Sequence, residues 1–211
     1  MSVELLNIDC MEYMATLPDK AFDLAIVDPP YGISVNMNMG RRKGMGTKHE
    51  SKDWDESIPT AAYFIELARV SKNQIIWGAN YFELPVTRGF IIWDKMTPED
   101  LSFSMCEYAW TSFDMVAKIF RRTIHTDNSN RIHPKHKPVA LYKWILQNYA
   151  TCKKCNNKGF YWDDPTHPTQ DNSKKITCNG FHVKSILDTH GGSMSSAIAC
   201  EHMGFDMTIC E

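Results

Sequence analysis

The stretch Phe22-Asp23-Leu24-Ala25-Ile26-Val27-Asp28-Pro29-Pro30-Tyr31 decides the fold class of this chain. Its first six residues form a short apolar run, which is typical of a central strand in a parallel sheet. The two prolines end this strand, because each lacks the backbone N–H that a sheet ladder requires. We therefore expect a buried strand that carries Asp28 and Tyr31 to the carboxyl edge of a sheet, where α/β domains bind ligands.

Strand and helix patterns alternate on both sides of this stretch. Further strands are predicted at residues 3–8, 73–77, 89–93, 108–112, 184–188 and 205–211. Helices are predicted at residues 11–17, 61–71, 138–149 and 195–203. This alternation predicts an α/β fold with a mostly parallel sheet. Residues 34–60 show no period and are interpreted as a long surface loop.

The composition is that of a globular protein. Of the 211 residues, 43% are hydrophobic and 23% are charged, which predicts a single domain over residues 1–211. The N-terminus lacks a basic region followed by an apolar run, and no apolar stretch is as long as a membrane span. The 7 cysteines are an odd number and mostly stand alone, which indicates reduced thiols and a cytoplasmic location.

The tetrapeptide at residues 28–31 offers hydrogen-bond acceptors on a rigid turn. The Asp28 carboxylate and a proline carbonyl can together accept the two hydrogens of an amino group. The Tyr31 ring offers a flat face on which a nucleobase can stack. A proline-rich turn without a ligand remains the alternative interpretation of these four residues.

A second motif follows the strand at residues 184–188. It consists of an Asp, a glycine-rich turn and two hydroxyl residues that open a helix, namely Asp188, Gly191, Gly192, Ser193, Ser195 and Ser196. Glycine allows the backbone to approach a ligand closely, and a helix N-terminus favours negative groups. The motif is therefore a candidate site for a ligand that carries a carboxylate or phosphate.

In this order, the two motifs resemble the amino-group DNA methyltransferases whose motifs are permuted, the beta group. Asp-Pro-Pro-Tyr is the catalytic tetrapeptide of that family, so the resemblance implies that Asp28, Pro29, Pro30 and Tyr31 are catalytic. It also implies a circularly permuted Rossmann-like fold that uses S-adenosylmethionine. The similarity covers residues 3–150 and 184–211, and it includes the segment after the strand at residues 73–77.

The same resemblance implies a set of cofactor-binding residues. Asp9 and Cys10 match a segment near the cofactor adenine, and Glu211 matches the acid that holds the ribose hydroxyls. His133 and Lys137 lie in a segment similar to His-Pro-x-x-Lys-Pro. The full implied set is Asp9, Cys10, Asp28, His133, Lys137, Asp188, Gly191, Gly192, Ser193, Ser195 and Glu211.

The sequence departs from the family pattern at several places. Met194 stands where the family more often has glycine, and Lys135 and His136 replace a small residue and a glutamine. Glu211 is the last residue, so the helix that normally follows is absent. We therefore expect a frayed sheet edge at the strand of residues 205–211.

The resemblance indicates adenine N6 as the acceptor, because an Asp-led tetrapeptide is more typical of that class. Cytosine N4, an amino group in RNA and a protein glutamine are the alternatives among enzymes. None of the 7 cysteines follows a proline, which argues against attack on a cytosine ring carbon. A non-catalytic DNA-binding module that retains the fold is the alternative outside enzymes.

Two basic groups are candidate contacts to DNA phosphates, and they comprise Arg41, Arg42, Lys43, Arg121 and Arg122. Charge runs are also common on solvated faces, and the net charge of −2 argues against indiscriminate binding to polyanions. No separate recognition domain is apparent. Recognition of DNA is therefore expected to be short, or to be shared with a second copy of the chain in a homodimer.

Residues 151–182 form a polar insert between the helix at residues 138–149 and the next strand. The spacing of Cys152 and Cys155 allows two thiolates to bind one zinc ion, and Cys178 and His182 can complete a tetrahedral site. The insert has few apolar residues with which to build a core, so a metal would explain how it folds. A flexible polar loop with reduced cysteines is the alternative.

Overall fold

A computed structural model of the chain describes residues 2–33, 58–99, 104–123, 137–158, 160–162 and 175–211. The first half contains β1 (Val3–Leu6), α1 (Cys10–Ala15), β2 (Phe22–Val27), α2 (Ala61–Val70), β3 (Ser71–Trp77), a 3₁₀ turn (Ala79–Tyr81), β4 (Phe90–Asp94), β5 (Cys106–Thr111) and β6 (Lys118–Arg121). The second half contains α3 (Val139–Ile145), a π turn (Leu146–Ala150), β7 (Phe160–Trp162), β8 (Lys175–Thr177), β9 (Ser185–Asp188), α4 (Ser195–Met203) and β10 (Asp206–Cys210).

Eight strands form one sheet in the order β1-β10-β9-β2-β3-β5-β4-β6. The strands from β1 to β3 in this order pair in parallel. β5 pairs antiparallel with both β3 and β4, and β4 pairs in parallel with β6. Among the described strands of this sheet, only β5 therefore runs against the others. The predicted α/β fold with a mostly parallel sheet is confirmed.

The alternating side chains of β2 build two hydrophobic cores, one on each face of the sheet. Leu24 and Ile26 belong to the core that includes residues of α3 and α4. Ala25 and Val27 belong to the core that includes residues of α1 and α2. Both sets are almost fully buried, which explains why the sequence of β2 is continuously apolar from residue 24 to residue 27.

The switch point of the sheet lies between β9 and β2. These two strands are neighbours, but the chain continues from β9 through α4 to β10 on one side. From β2 it continues through α2 to β3 on the other side. In open α/β sheets, the loops that diverge at such a point leave a crevice at the carboxyl ends of the strands. The motifs at residues 28–31 and 188–195 both lie at this crevice.

The expectation of a frayed edge at the last strand is wrong. β10 lies inside the sheet between β1 and β9, and the backbone N–H of Glu211 donates to the Leu6 carbonyl at 3.0 Å. The pairing with β1 joins residues about 200 positions apart, and the local sequence does not reveal it.

Two other differences from the predicted elements are local. The helix predicted at residues 138–149 is α-helical only to Ile145 and ends in the π turn, where the Thr151 N–H donates to the Leu146 carbonyl at 2.9 Å. The edge strand β6 was not predicted, because its four residues are too few to show a period. Within the described ranges, no helix has both the length and the apolar character that crossing a membrane requires.

Candidate active site

The Asp28 carboxylate is held from two sides at the end of β2. The Tyr31 hydroxyl donates to Oδ1 at 2.5 Å, and the Lys137 ammonium donates to Oδ2. Lys137 Nζ is also 3.3 Å from the Tyr31 hydroxyl oxygen. The Lys137 side chain is only 5% exposed, whereas that of Asp28 is 29% exposed. The carboxylate is therefore anchored from inside the protein and can still be reached from solvent.

A second carboxylate, that of Glu107, completes this ion-pair network. Lys137 Nζ lies 3.0 Å from its Oε2, and Lys95 Nζ lies 2.8 Å from its Oε1. Burial acts to lower the pKa of Lys137, but Asp28 and Glu107 outweigh it and raise that pKa. Burial acts to raise the pKa of Glu107, but the two lysines outweigh it and lower that pKa. Lys137 is therefore a buried cation between two carboxylates.

The sequence analysis did not single out Glu107. Because β5 runs antiparallel, its first residues lie at the edge where the other strands end, and Glu107 is thereby brought to Lys137. A single acid in the otherwise uncharged strand Cys106–Thr111 was the available signal. Lys137 was expected near the cofactor, and the structure brings it to Asp28 and Tyr31 of the tetrapeptide at residues 28–31.

The Tyr31 ring lies directly against the backbone of Gly78. Gly78 has φ +69°, and a Cβ added to it would be 2.0 Å from Tyr31 Cε1. The Tyr81 ring stacks on Tyr31 at 5.1 Å between centroids, with 18° between the planes. One face of Tyr31 is thus already covered, and Tyr81, which is 42% exposed, presents the outer ring of the pair.

We expect Gly78→Ala to lower the free energy of unfolding by about 2–4 kcal/mol. The added methyl group overlaps the Tyr31 ring, and the left-handed backbone disfavours a residue with a Cβ. Urea unfolding measures the change. Gly192→Ala is the matched control, because Gly192 also has positive φ but its added Cβ would meet nothing closer than 3.9 Å. Equal losses in the two variants would show that Tyr31 does not rest on Gly78.

The turn between β9 and α4 is closed by the Asp188 carboxylate. Asp188 is buried, and its two oxygens accept hydrogen bonds from Ser196 Oγ at 2.7 Å and from the His190 N–H at 3.1 Å. Burial raises the pKa of Asp188 to about 7. Ser195 is also buried, and its hydroxyl oxygen lies 3.1 Å from that of Ser193. Asp188 thus ties the turn to the first residues of the helix.

The two glycines of this turn allow different contacts. A Cβ on Gly191 would be 2.6 Å from Ile209 Cγ2, so the absence of a side chain lets the turn pack against β10. Gly192 has φ +48°, and its N–H donates to Glu211 Oε2 at 2.8 Å. Met194 has φ 56°, a region that favours glycine. Its side chain packs against the core, which offsets part of the backbone strain.

His190 lies in the turn of the second motif, directly before Gly191. Its Nδ1 is 2.9 Å from Thr189 Oγ1, which is in turn 2.6 Å from the Tyr63 hydroxyl. Burial lowers the pKa of His190 to about 4, and the charges of Asp28, Glu211 and Asp9 act in the opposite direction. Three of the predicted site carboxylates therefore act on a single imidazole. The sequence analysis did not assign His190 a role.

The stability that the neutral His190 contributes should fall as the pH falls from 6.5 to about 4. Above pH 6.5 the imidazole of His190 is neutral in both states, but below it only the unfolded chain binds the proton. Between pH 7 and pH 5, the wild type should lose about 1–2 kcal/mol more unfolding free energy than His190→Gln. Urea unfolding at the two pH values tests this. The effect of Asp188 on the unfolding free energy is present in both proteins and cancels in the comparison. Parallel pH profiles of the two proteins would contradict the prediction.

The remaining predicted ligand residues lie at the same edge of the sheet or outside the described ranges. Asp9 Oδ1 caps α1 by accepting from the N–H groups of Met11 and Glu12 at 2.8 and 3.1 Å, and Cys10 begins that helix. Asp9 and Cys10 come shortly after β1, and Glu211 comes directly after the neighbouring strand β10. His133 lies outside the described residues.

Of the predicted DNA contacts, two lie within the residues that the structure describes. Arg121 ends β6 and Arg122 follows it, at the edge of the sheet that carries Asp28. Arg121 is 63% exposed, and its Nε lies 3.3 Å from Asp94 Oδ2. The backbone N–H of Arg122 donates to the Asp94 carbonyl, and the Arg122 carbonyl accepts from the indole N–H of Trp93. The other predicted contacts lie outside the described residues, namely Arg41, Arg42 and Lys43.

Two solved structures share the fold of this chain. No protein-family model matches the sequence, and neither does any curated protein sequence. The crystal structure of the M1.HpyAVI–SAM complex matches with a TM-score of 0.52 and 16% identity, covering 100% of this chain and 94% of the other. The cytosine-N4-specific PvuII DNA methyltransferase matches with a TM-score of 0.53 and 10% identity, covering 100% and 82%. This chain has the fold of S-adenosylmethionine-dependent DNA methyltransferases.

Proposed function

We propose that this chain transfers a methyl group from S-adenosylmethionine to the N6 amino group of adenine in DNA. The observation that carries the proposal is the position of the Asp28 carboxylate. It is anchored by Lys137 and Tyr31, it is partly exposed, and it lies at the switch point of the sheet beside the turn at residues 188–194.

The residues around that turn fit S-adenosylmethionine. Gly192 faces open space, and the exposed Glu211 carboxylate beside it suits the two hydroxyls of a ribose. The N-cap of α4 is Met194, whose side chain makes no capping hydrogen bond, so the helix N-terminus is suited to the carboxylate of the methionine part. Asp9 lies at the same edge of the sheet and would face the adenine part.

The electrostatics of the crevice also suit a cationic sulfonium. Burial keeps His190 neutral near pH 7, and the acidic groups that act on it are Asp28, Glu211 and Asp9. A neutral imidazole among carboxylates does not repel a positive ligand, and the carboxylates attract it. When bound, S-adenosylmethionine supplies a methyl group on a positively charged sulfur, which makes that carbon electrophilic.

The side chains would act on the amino nitrogen. Asp28 and the Pro29 carbonyl accept its two hydrogens, which aligns the nitrogen lone pair with the methyl carbon. As the N–C bond forms, the C–S bond breaks and its electron pair stays on sulfur. The nitrogen becomes positive, Asp28 stabilises that charge, and the extra proton leaves to solvent. Lys137 is a positioning residue, because it fixes the carboxylate from behind.

The arrangement of the chain supports the permuted type. Counted from β9, the strands β9, β10, β1, β2 and β3 have the spatial order 3-2-1-4-5, which is characteristic of doubly wound nucleotide-binding sheets. The catalytic tetrapeptide precedes the cofactor turn in sequence but follows it in this count. A circular permutation accounts for both facts.

Two other functions remain alternatives to adenine N6 methylation. Cytosine N4 is favoured by the likeness to the PvuII enzyme, whereas the Asp-led tetrapeptide favours adenine. A DNA-binding module without activity would keep the fold and lose the cofactor. In either enzyme the base must leave the duplex to reach Asp28. Arg121 and Arg122 would contact phosphates, and the homodimer stays a prediction.

Analysis of the methylated base tests the proposal. The purified protein is incubated with S-adenosylmethionine and genomic DNA that lacks amino methylation, and the digested nucleosides are identified by mass spectrometry. Genomic DNA is chosen because it contains every short recognition sequence. We expect N6-methyladenine, whereas N4-methylcytosine would establish the cytosine alternative. No modified base, together with no calorimetric binding of S-adenosylmethionine, would support the non-catalytic module.

A further inference from the structure

Four potential metal ligands meet at the base of the insert, away from the carboxylate network. They are the ones expected from the sequence, namely Cys152, Cys155, Cys178 and His182. Their ligand atoms all lie within 4.8 Å of one another. Cys155 and Cys178 are buried, and the other two residues are half-buried. The structure thus joins the two ends of the insert, although 22 residues separate Cys155 from Cys178.

The distances between these atoms are close to those of a tetrahedral site. Cys152 Sγ and Cys178 Sγ are 3.7 Å apart, near the separation of about 3.8 Å between two sulfurs bound to one tetrahedral zinc ion. This distance is far longer than the bond of about 2 Å in a disulfide. Cys155 Sγ and His182 Nε2 are 2.8 Å apart, and a metal would widen this pair by less than about 1 Å.

Gly180 allows two of the cysteine sulfurs to approach each other. A Cβ on Gly180 would be 2.8 Å from Cys152 Sγ and 3.4 Å from Cys178 Sγ, so a side chain at this position would crowd both sulfurs. The residue between the third and fourth ligands is therefore suited to a compact cluster.

Asn157 fastens this cluster to the main domain. Its side chain accepts from the Cys152 N–H at 2.7 Å and donates to the Ala150 carbonyl at 2.8 Å. It also donates to the Val183 carbonyl at 3.4 Å, just before β9. Asn157 has φ 61°, which asparagine tolerates better than most residues. The cluster therefore connects the end of the π turn to the start of β9.

We propose that Cys152, Cys155, Cys178 and His182 bind one structural Zn²⁺ ion that fastens the β7–β8 hairpin to the methyltransferase domain. Three thiolates and one imidazole are a ligand set typical of structural zinc. Because the protein supplies all four ligands, no position is left for a substrate or an activated water. The ion holds together the two cysteine turns that flank the hairpin.

Metal analysis of the full-length protein tests this site. The chain is produced without a metal-binding tag, and bound zinc and iron are measured by mass spectrometry. We expect one zinc ion per chain in the wild type and a loss of most zinc in Cys155→Ser. Cys106→Ser is the matched control, because Cys106 is an exposed cysteine outside the cluster, and it should keep its zinc.

A second measurement keeps the proposal falsifiable if Cys155→Ser does not fold. Cobalt(II) added to metal-free wild type should give thiolate charge-transfer absorption and tetrahedral ligand-field bands, which zinc then displaces. His182→Cys should retain the metal with four thiolates and show stronger charge transfer. The proposal is overturned by wild type that takes up no zinc or cobalt, by iron in place of zinc, or by a disulfide between Cys152 and Cys178.

Discussion

Asp28→Ala is expected to lower the rate of methyl transfer to DNA by about 10³-fold, or about 4 kcal/mol of transition-state stabilisation. The change removes the acceptor that holds the amino group and the negative charge that balances the positive nitrogen. Binding of S-adenosylmethionine should weaken much less than the rate falls, because the glycine turn and Glu211 are untouched. Initial rates measured with labelled S-adenosylmethionine, together with calorimetry, separate the two effects.

Two further variants control for indirect effects of this substitution. Asp28→Asn keeps an acceptor for the Tyr31 hydroxyl but loses the charge, so it should also be slow. Asp114→Ala removes an aspartate that is 88% exposed, in the segment after β5 at the opposite edge of the sheet, and its rate should equal that of the wild type. A wild-type rate in Asp28→Ala would end the assignment of this residue.

Lys137→Met is expected to lower the free energy of unfolding by about 3–5 kcal/mol. The substitution removes the cation between Asp28 and Glu107 and leaves two carboxylates without their shared partner. The hydrophobic replacement fills the space but does not offset that charge. Urea unfolding measures the loss, and the rate of methyl transfer should fall as well, because Asp28 loses its anchor.

A surface ion pair and a double variant test the cause of this loss. Lys72→Met removes a lysine that is 51% exposed and pairs with Asp23, so it should cost about 1 kcal/mol or less. Adding Glu107→Gln to Lys137→Met removes one of the two carboxylates that have lost Lys137 as their shared partner. The double variant should be less destabilised than the sum of the two single variants, by about 0.5–3 kcal/mol. Additive losses would show that the buried charges do not interact.

The sequence predicted the elements whose signals are local. β2 and α4 were predicted with the bounds that the structure gives, because a mostly apolar run of six residues stops just before two prolines and Gly204 ends the helix. The tetrapeptide at residues 28–31 was expected at the carboxyl edge of the sheet, and the structure brings it and the turn after β9 to the switch point. The four ligands in the insert were chosen by spacing and residue type, and the structure brings them together.

Features that depend on long-range pairing were not predictable in this way. The role of Glu107 follows from the antiparallel course of β5, which no local pattern reveals. The interior position of β10 follows from its pairing with β1 at the other end of the chain. The neutral state of His190 follows from burial by residues distant in sequence, including Tyr63. In each case the missing information is which strands and helices are neighbours.

The most direct test of the central claim follows the methyl group itself. S-adenosylmethionine with a deuterated methyl group is incubated with the protein and unmethylated genomic DNA, and the nucleosides are analysed by mass spectrometry. The account predicts the deuterated methyl on the amino nitrogen of adenine with the wild type, and at most a trace with Asp28→Ala. Label on a ring carbon, no label on DNA, or equal labelling by both proteins would contradict it.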